Sequence, residues 1–173
     1  METFLGGWVL MVGAGMVPGT VPAARLVTSA RGALSGAAFL LGYAAVWIGL
    51  GLVGFVALSP LAPTVRWTGA GVVLAATAAY ELSPLKDACL RRCRSPLRLL
   101  FQPSLAGGVV HALDCAGCCA FLMALMVAFG LMSIAWVALL ALVVLVQKAA
   151  PFGARSPRLL ALALGSAAVV TWI

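Results

Sequence analysis

The chain consists of long apolar segments separated by short stretches that carry almost all of the charge. This pattern is the feature that most limits how the chain can fold. Hydrophobic residues make up 64% of the 173 residues and charged residues only 9%, whereas soluble domains carry roughly 25% charged residues. Too few polar side chains are available to cover a soluble fold of this size. The composition also excludes a disordered tail, because such tails are polar. We therefore predict an integral membrane protein.

The apolar segments are long enough for several membrane crossings. A helix needs about 20 apolar residues to cross the hydrocarbon core, and the first such segment is expected to end at Val21, among Pro18, Pro22 and Arg25. The predicted fold is one all-α transmembrane domain, residues 1–173, a polytopic helical bundle of about six spans. The candidate spans are residues 4–21, 33–58, about 65–82, about 105–129, 134–146 and 159–173.

Basic residues fall in alternate loops of this arrangement. With the N-terminus outside, the loops after spans one, three and five hold ten of the 11 Lys and Arg residues, and only Arg66 lies on the other side. Short cytoplasmic loops carry an excess of basic residues. We therefore predict a multi-pass protein of the inner (plasma) membrane with both termini outside. The lipid bilayer, and not nucleic acid, is the expected partner of its formal charge of +7.

All five cysteines lie between residues 89 and 119. Cys89 and Cys93 follow Pro84 and Asp87, which are typical of a helix start, and their spacing places both thiols on one face. We expect a short cytoplasmic or interfacial helix between spans three and four. The alternative is a basic helix with incidental cysteines. The arginines of this segment are Arg91, Arg92 and Arg94. They are expected to contact anionic headgroups and to lower the pKa of the two thiols.

The only histidine shares the fourth span with the other three cysteines. At 100° per residue, one side of that helix presents His111, Asp114 and the thiols of Cys115, Cys118 and Cys119. This side should face the bundle interior, because ionisable groups that face lipid are costly. Imidazole with soft sulfur suits copper(I), which we favour, or zinc.

Three neighbouring side chains have less specific roles. Asp114 is expected to ligate an ion, to orient His111, or to compensate a cationic charge. Met123 and Met126 lie on or beside the same helix side, but core packing is the favoured interpretation for both. The same interpretation applies more strongly to Met11 and Met16 in the first span.

Both groups of thiols are expected on the cytoplasmic side, where they would form one site. Its predicted metal ligands are Cys89, Cys93, His111, Cys115, Cys118 and Cys119. A reducing compartment argues against permanent disulfides. The C-x-x-C spacing of Cys115 and Cys118 nevertheless leaves thiol–disulfide chemistry open.

Two sequence motifs resemble signatures of a bacterial membrane-protein family. Residues 83–96 read SPLKDACLRRCRSP, similar to PLKxxCLxxCRxP, and residues 115–123 read CAGCCAFLM, similar to CxGCCxxLM. Residues 8–18, 130–136 and 147–153 resemble WxxMxxAMMxP, GxMNxxW and EKxxPxG. The family is that of predicted metal-binding integral membrane proteins, domain of unknown function 2182, and the resemblance implies metal binding.

Three departures from the family pattern stand out. Ala120 replaces a common aromatic residue, Ser133 replaces Asn, and Gln147 replaces an acid before Lys148. If that acid pairs with a buried cation in relatives, the pair is missing here. Lys148 is then expected to extend to the membrane interface from its helix end.

The leading functional hypothesis is a membrane protein that binds a soft transition metal, with copper(I) favoured, for handling or delivery. A metal donor or a membrane-protein partner would accompany that role. The alternatives are a membrane thiol–disulfide oxidoreductase that uses Cys115 and Cys118, and a non-catalytic structural subunit. We expect a binding protein rather than an enzyme, because one histidine and four acids supply neither a catalytic triad nor a paired-carboxylate site.

Overall fold

A computed structural model describes residues 2–58, 70–128, 134–149 and 158–164, and all regular structure within them is helical. The predicted all-α class is confirmed for these residues. The helices in chain order are α1 (Glu2–Met11), a π-helical turn (Val12–Met16), α2 (Val17–Arg31), α3 (Ala33–Leu58), α4 (Ala70–Glu81), α5 (Pro84–Arg94), a 3-10 segment (Pro96–Phe101), α6 (Ser104–Ala128), α7 (Ile134–Ala149) and α8 (158–164).

Within the described residues, three helices are long and apolar enough to cross a membrane: Gly6–Arg31, Ala33–Ala57 and Ser104–Leu125. Two shorter apolar helices are also present: Gly71–Glu81 lies inside the predicted third span, and Ala138–Lys148 overlaps the predicted fifth span but extends two residues beyond its end at residue 146. The protein is therefore compatible with membrane insertion. The predicted Arg66 loop and residues 165–173 of the predicted sixth span lie outside the described residues.

The predicted end of the first span at Val21 is wrong, because α2 continues to Arg31. In an α-helix the ring of Pro18 would clash with the carbonyl four residues earlier. The chain forms a wider π turn before it, in which the Val17 N–H donates to the Val12 carbonyl. The helix ends instead at Gly32, whose φ of 88° favours glycine.

Helices α3 and α6 make the closest crossing described. A Cβ at Gly42 would overlap the backbone carbonyl of Leu105, and one at Gly108 would overlap that of Phe39. Small residues allow helices in lipid to approach this closely. The crossing brings the rings of Phe39 and Tyr43 within 6 Å of the His111 ring, at centroid distances of 5.8 and 5.9 Å.

A buried polar triad joins α4, α5 and α7. The Lys86 ammonium forms an ion pair with Glu81 and donates to the Gln147 side-chain oxygen at 3.0 Å, and the Gln147 amide donates to Glu81 at 3.1 Å. All three side chains are buried. Helix α5 begins as expected, with the Ser83 side chain accepting from the Lys86 N–H and Pro84 in the first turn. The triad and this cap fix α5 against the bundle.

Candidate metal centre

Three thiols from two helices meet inside the bundle. The Cys93 thiol on α5 packs in one buried cluster with Cys115 and Cys118 of α6, close enough to interact with both thiols. The Cys118 thiol also donates to the Cys115 carbonyl at 3.1 Å. The fold therefore places the last turn of α5 directly against the thiol-bearing side of α6.

The remaining two thiols, Cys119 and Cys89, lie next to this cluster and differ in burial. The Cys119 sulfur lies 3.4 Å from that of Cys118, and its side chain is buried. The Cys89 side chain is only partly buried, and its sulfur lies over Gly117, where an added Cβ would come within 2.9 Å. All five cysteines are free thiols. Glycine at position 117 is what allows α5 to approach α6 at this point.

Three side chains that the sequence analysis did not place in the site contact Cys115. The Lys148 ammonium on α7 lies 2.8 Å from the Cys115 sulfur and 3.1 Å from the Met16 sulfur. The Met16 sulfur lies 3.6 Å from that of Cys115. The Tyr43 hydroxyl lies 3.3 Å from the same thiol. The site therefore combines residues of the π turn, α3, α5, α6 and α7.

A buried cation balances the charge of this cluster. Lys148 does not extend to a membrane interface as predicted, because its side chain is buried among the sulfurs of Cys115 and Met16. The pKa of Cys93 is lowered from that of an ordinary thiol, because polar interactions with the thiols of Cys115 and Cys118 stabilise its charged form and the positive charge of Lys148 lies nearby. A thiolate at Cys93 is a stronger metal ligand than a thiol.

His111 is buried beside the cluster without a hydrogen-bond partner. Neither ring nitrogen has one among the described residues, although buried polar groups are normally paired. Its ring contacts those of Phe39 and Tyr43, and the residue is near enough to Cys93 for an electrostatic interaction. An imidazole held in this way has both nitrogens available.

Asp114 forms an ion pair with Arg98 of the 3-10 segment. Of its three predicted roles, compensation of a cationic charge is therefore the one observed.

The three arginines predicted to contact lipid headgroups have different surroundings. Arg91 and Arg92 are exposed, whereas Arg94 donates to the Gln147 carbonyl at 3.0 Å and is directed toward α7.

The predicted ligands do not form a ready coordination sphere. Among the residues that the structure describes, no group of three or more His, Cys, Asp and Glu side chains is arranged to hold a metal ion. Met123 is partly buried against the core, as its packing interpretation predicts. The side chain of Met126 lies outside the described residues. An ion would require the thiols to rotate and the Lys148 ammonium to move.

The sequence contained weak signals for two of the three missed residues. Met16 and Lys148 both lie in segments that resemble family motifs, at residues 8–18 and 147–153. Neither residue is near the cysteines in sequence, since Met16 lies 99 positions and Lys148 33 positions from Cys115. Only the packing of the helices could reveal these contacts.

Comparison with known proteins gives one family. The family model PpoB2, described as a copper chaperone, matches residues 5–171, which is nearly the whole chain. No curated protein and no solved structure matches the chain.

Proposed function

The chain belongs to the PpoB2 family, and from this premise we propose that it is a membrane-embedded copper chaperone that binds copper(I) as cargo. The observation that carries the proposal is the buried cluster of Cys93, Cys115 and Cys118 beside the buried Lys148. Thiolates are the soft ligands that select copper(I). We also propose, from the two cysteine signatures, that the chain is related to domain of unknown function 2182.

The contacts suggest different contributions from the predicted ligands. Cys93, Cys115 and Cys118 form the centre of the proposed site because they lie in one buried cluster. Cys119 and His111 lie beside them, and the partly buried Cys89 is suited to pass the ion between the site and a donor or acceptor. Zinc is the alternative ion, because it also accepts thiolates and imidazole.

The proposal includes an orientation in the membrane. Arg31 donates to the carbonyls of Leu100 and Gln102, and Arg94 donates to the carbonyl of Gln147. These contacts bring three separate basic segments to one end of the bundle, which supports a common cytoplasmic side. We therefore propose a single six-span domain in the inner membrane, with outer termini and with copper exchanged on the cytoplasmic side.

The proposal can be tested by copper stoichiometry. The full chain would be purified anaerobically in detergent, loaded with copper(I), freed of excess metal and analysed for bound copper. We expect about one ion per chain for the wild type, a loss for Cys93→Ser, Cys115→Ser and Cys118→Ser, and a smaller loss for Cys89→Ser. Because all four variants replace sulfur by oxygen, Cys89→Ser controls for the general effect of the substitution.

Equal, near-zero copper content in all five proteins would overturn the proposed function. Mass spectrometry after alkylation of the unloaded protein addresses the redox alternative. A reversible disulfide between Cys115 and Cys118, with no bound metal in the wild type, would favour an oxidoreductase. Thiols that copper protects from alkylation would support the chaperone.

A further inference from the structure

Met16 lies outside α5 and α6, yet its sulfur contacts the thiol cluster. Its sulfur lies 3.6 Å from the Cys115 sulfur. Two sulfurs that share an ion at about 2.3 Å across a tetrahedral angle lie about 3.8 Å apart. The separation therefore needs almost no adjustment for both sulfurs to bind one ion.

The surroundings of Met16 differ from those of a methionine that fills space in a core. Its side chain is 1% exposed, and its sulfur faces a thiol and the Lys148 ammonium. Its carbonyl accepts the Thr20 hydroxyl at 3.1 Å and the Tyr43 hydroxyl at 3.5 Å. Two hydroxyls thus hold the carbonyl of Met16, while its sulfur contacts the cluster.

The π turn accounts for this placement. Met16 is the last residue of the turn, immediately before Val17 and Pro18. A π turn inserts an extra residue into a helical turn and is frequent at functional sites. It therefore rotates the face of the helix that follows it, relative to an uninterrupted α-helix.

The Lys148 ammonium shows that a positive charge fits between these sulfurs. Its nitrogen lies 2.8 Å from the Cys115 sulfur and 3.1 Å from the Met16 sulfur. An ion bound by both sulfurs would occupy the same space, so ion and ammonium exclude each other. The four-carbon stem of Lys148 is flexible enough to withdraw.

We propose that Met16 is a ligand of the copper(I) cargo, together with Cys115, and that it determines selectivity for copper(I) over zinc. This inference rests on the proposed chaperone function. A thioether is a soft neutral ligand that suits copper(I), whereas zinc is bound in proteins by thiolate, imidazole and carboxylate. Loss of Met16 should therefore weaken copper(I) binding and leave zinc binding unchanged.

The test compares Met16→Leu with Met11→Leu, a matched change at another buried methionine of the same continuous helix. The full chain would be titrated anaerobically against chromophoric chelators of copper(I) and of zinc. We expect Met16→Leu to lower the copper(I) affinity by about 10-fold or more. Even the loss of a residue that only hydrogen-bonds a metal ligand commonly lowers metal affinity by about 10- to 100-fold. The zinc affinity of Met16→Leu should equal that of the wild type. Met11→Leu should keep the wild-type affinity for both ions.

A spectroscopic measurement identifies the ligand directly. With selenomethionine in place of all six methionines, X-ray absorption at the copper edge should show copper–selenium scattering in wild type and Met11→Leu, but not in Met16→Leu. Absence of that scattering in copper-loaded wild type would overturn the inference even if Met16→Leu does not fold, as would its persistence in Met16→Leu. Copper-loaded wild type without selenium scattering leaves the chaperone function intact, whereas failure of the wild type to bind copper removes the function itself.

Discussion

At the scale of single residues, the departure from the family motif at position 147 acquires a physical meaning. The amide of Gln147 contacts Lys86 and Glu81, and not its neighbour Lys148. With a neutral amide, the triad contains one ammonium and one carboxylate, so its charges balance. Lys148 finds its own partners in the sulfurs of the candidate site.

Removal of Lys86 should destabilise the fold strongly. Lys86→Met leaves the buried Glu81 carboxylate without its ion partner, and breaking a buried pair from one side typically costs about 3–5 kcal/mol. We expect a lower unfolding midpoint in detergent-solubilised protein, measured by thermal or denaturant unfolding. Arg92→Met removes the same charge from an exposed position of α5 and should change the midpoint little.

The double variant Lys86→Met with Glu81→Leu tests the cause. If the unpaired carboxylate causes the instability, the double variant should regain most of the lost stability, because neither charge remains buried. An unfolding midpoint for Lys86→Met equal to that of Arg92→Met would contradict the buried ion pair.

At the scale of elements, the crossing of α3 and α6 positions the face that carries His111 and the thiols of α6. The crossing depends on backbone contact at Gly42 and Gly108. The same helix α3 contains Gly49, around which an added Cβ would meet nothing within 4 Å. These glycines therefore have opposite expected responses to the same substitution.

Gly42→Ala should destabilise the protein by about 1–3 kcal/mol, because the added methyl group overlaps a backbone carbonyl that cannot rotate away. Gly49→Ala should be neutral or stabilising by up to about 1 kcal/mol, since alanine favours a helix over glycine. Unfolding midpoints of the two variants measure the contrast. Equal effects of both changes would mean that α3 and α6 are not in backbone contact at Gly42.

At the scale of the whole molecule, three basic segments lie at one end of the bundle. The carbonyl contacts of Arg31 and Arg94 connect the segment after α2, the segment around α5 and the end of α7. This arrangement is compatible with the common side that the alternating charge of the sequence predicts, and the orientation in the membrane stays a prediction.

Reporter fusions measure that orientation. Green fluorescent protein should fluoresce when fused after residue 31, 95 or 155, and alkaline phosphatase should be active when fused after residue 62 or 173, because only the cytoplasmic side carries the short basic loops. Each position should be positive with one reporter alone. An active alkaline phosphatase fused after residue 95 would contradict the predicted orientation, because it would place that segment outside.

The sequence by itself determined the all-α class, the bounds of α3 and the two helices that carry the cysteines, because these features depend on local apolarity, proline positions and helical periodicity. It did not determine where the first helix ends, since a π turn absorbs Pro18. Only the tertiary structure decided that Met16 and Lys148 reach Cys115. Contacts between residues 99 and 33 positions apart depend on which helix faces pack together, and apolarity alone leaves that choice open.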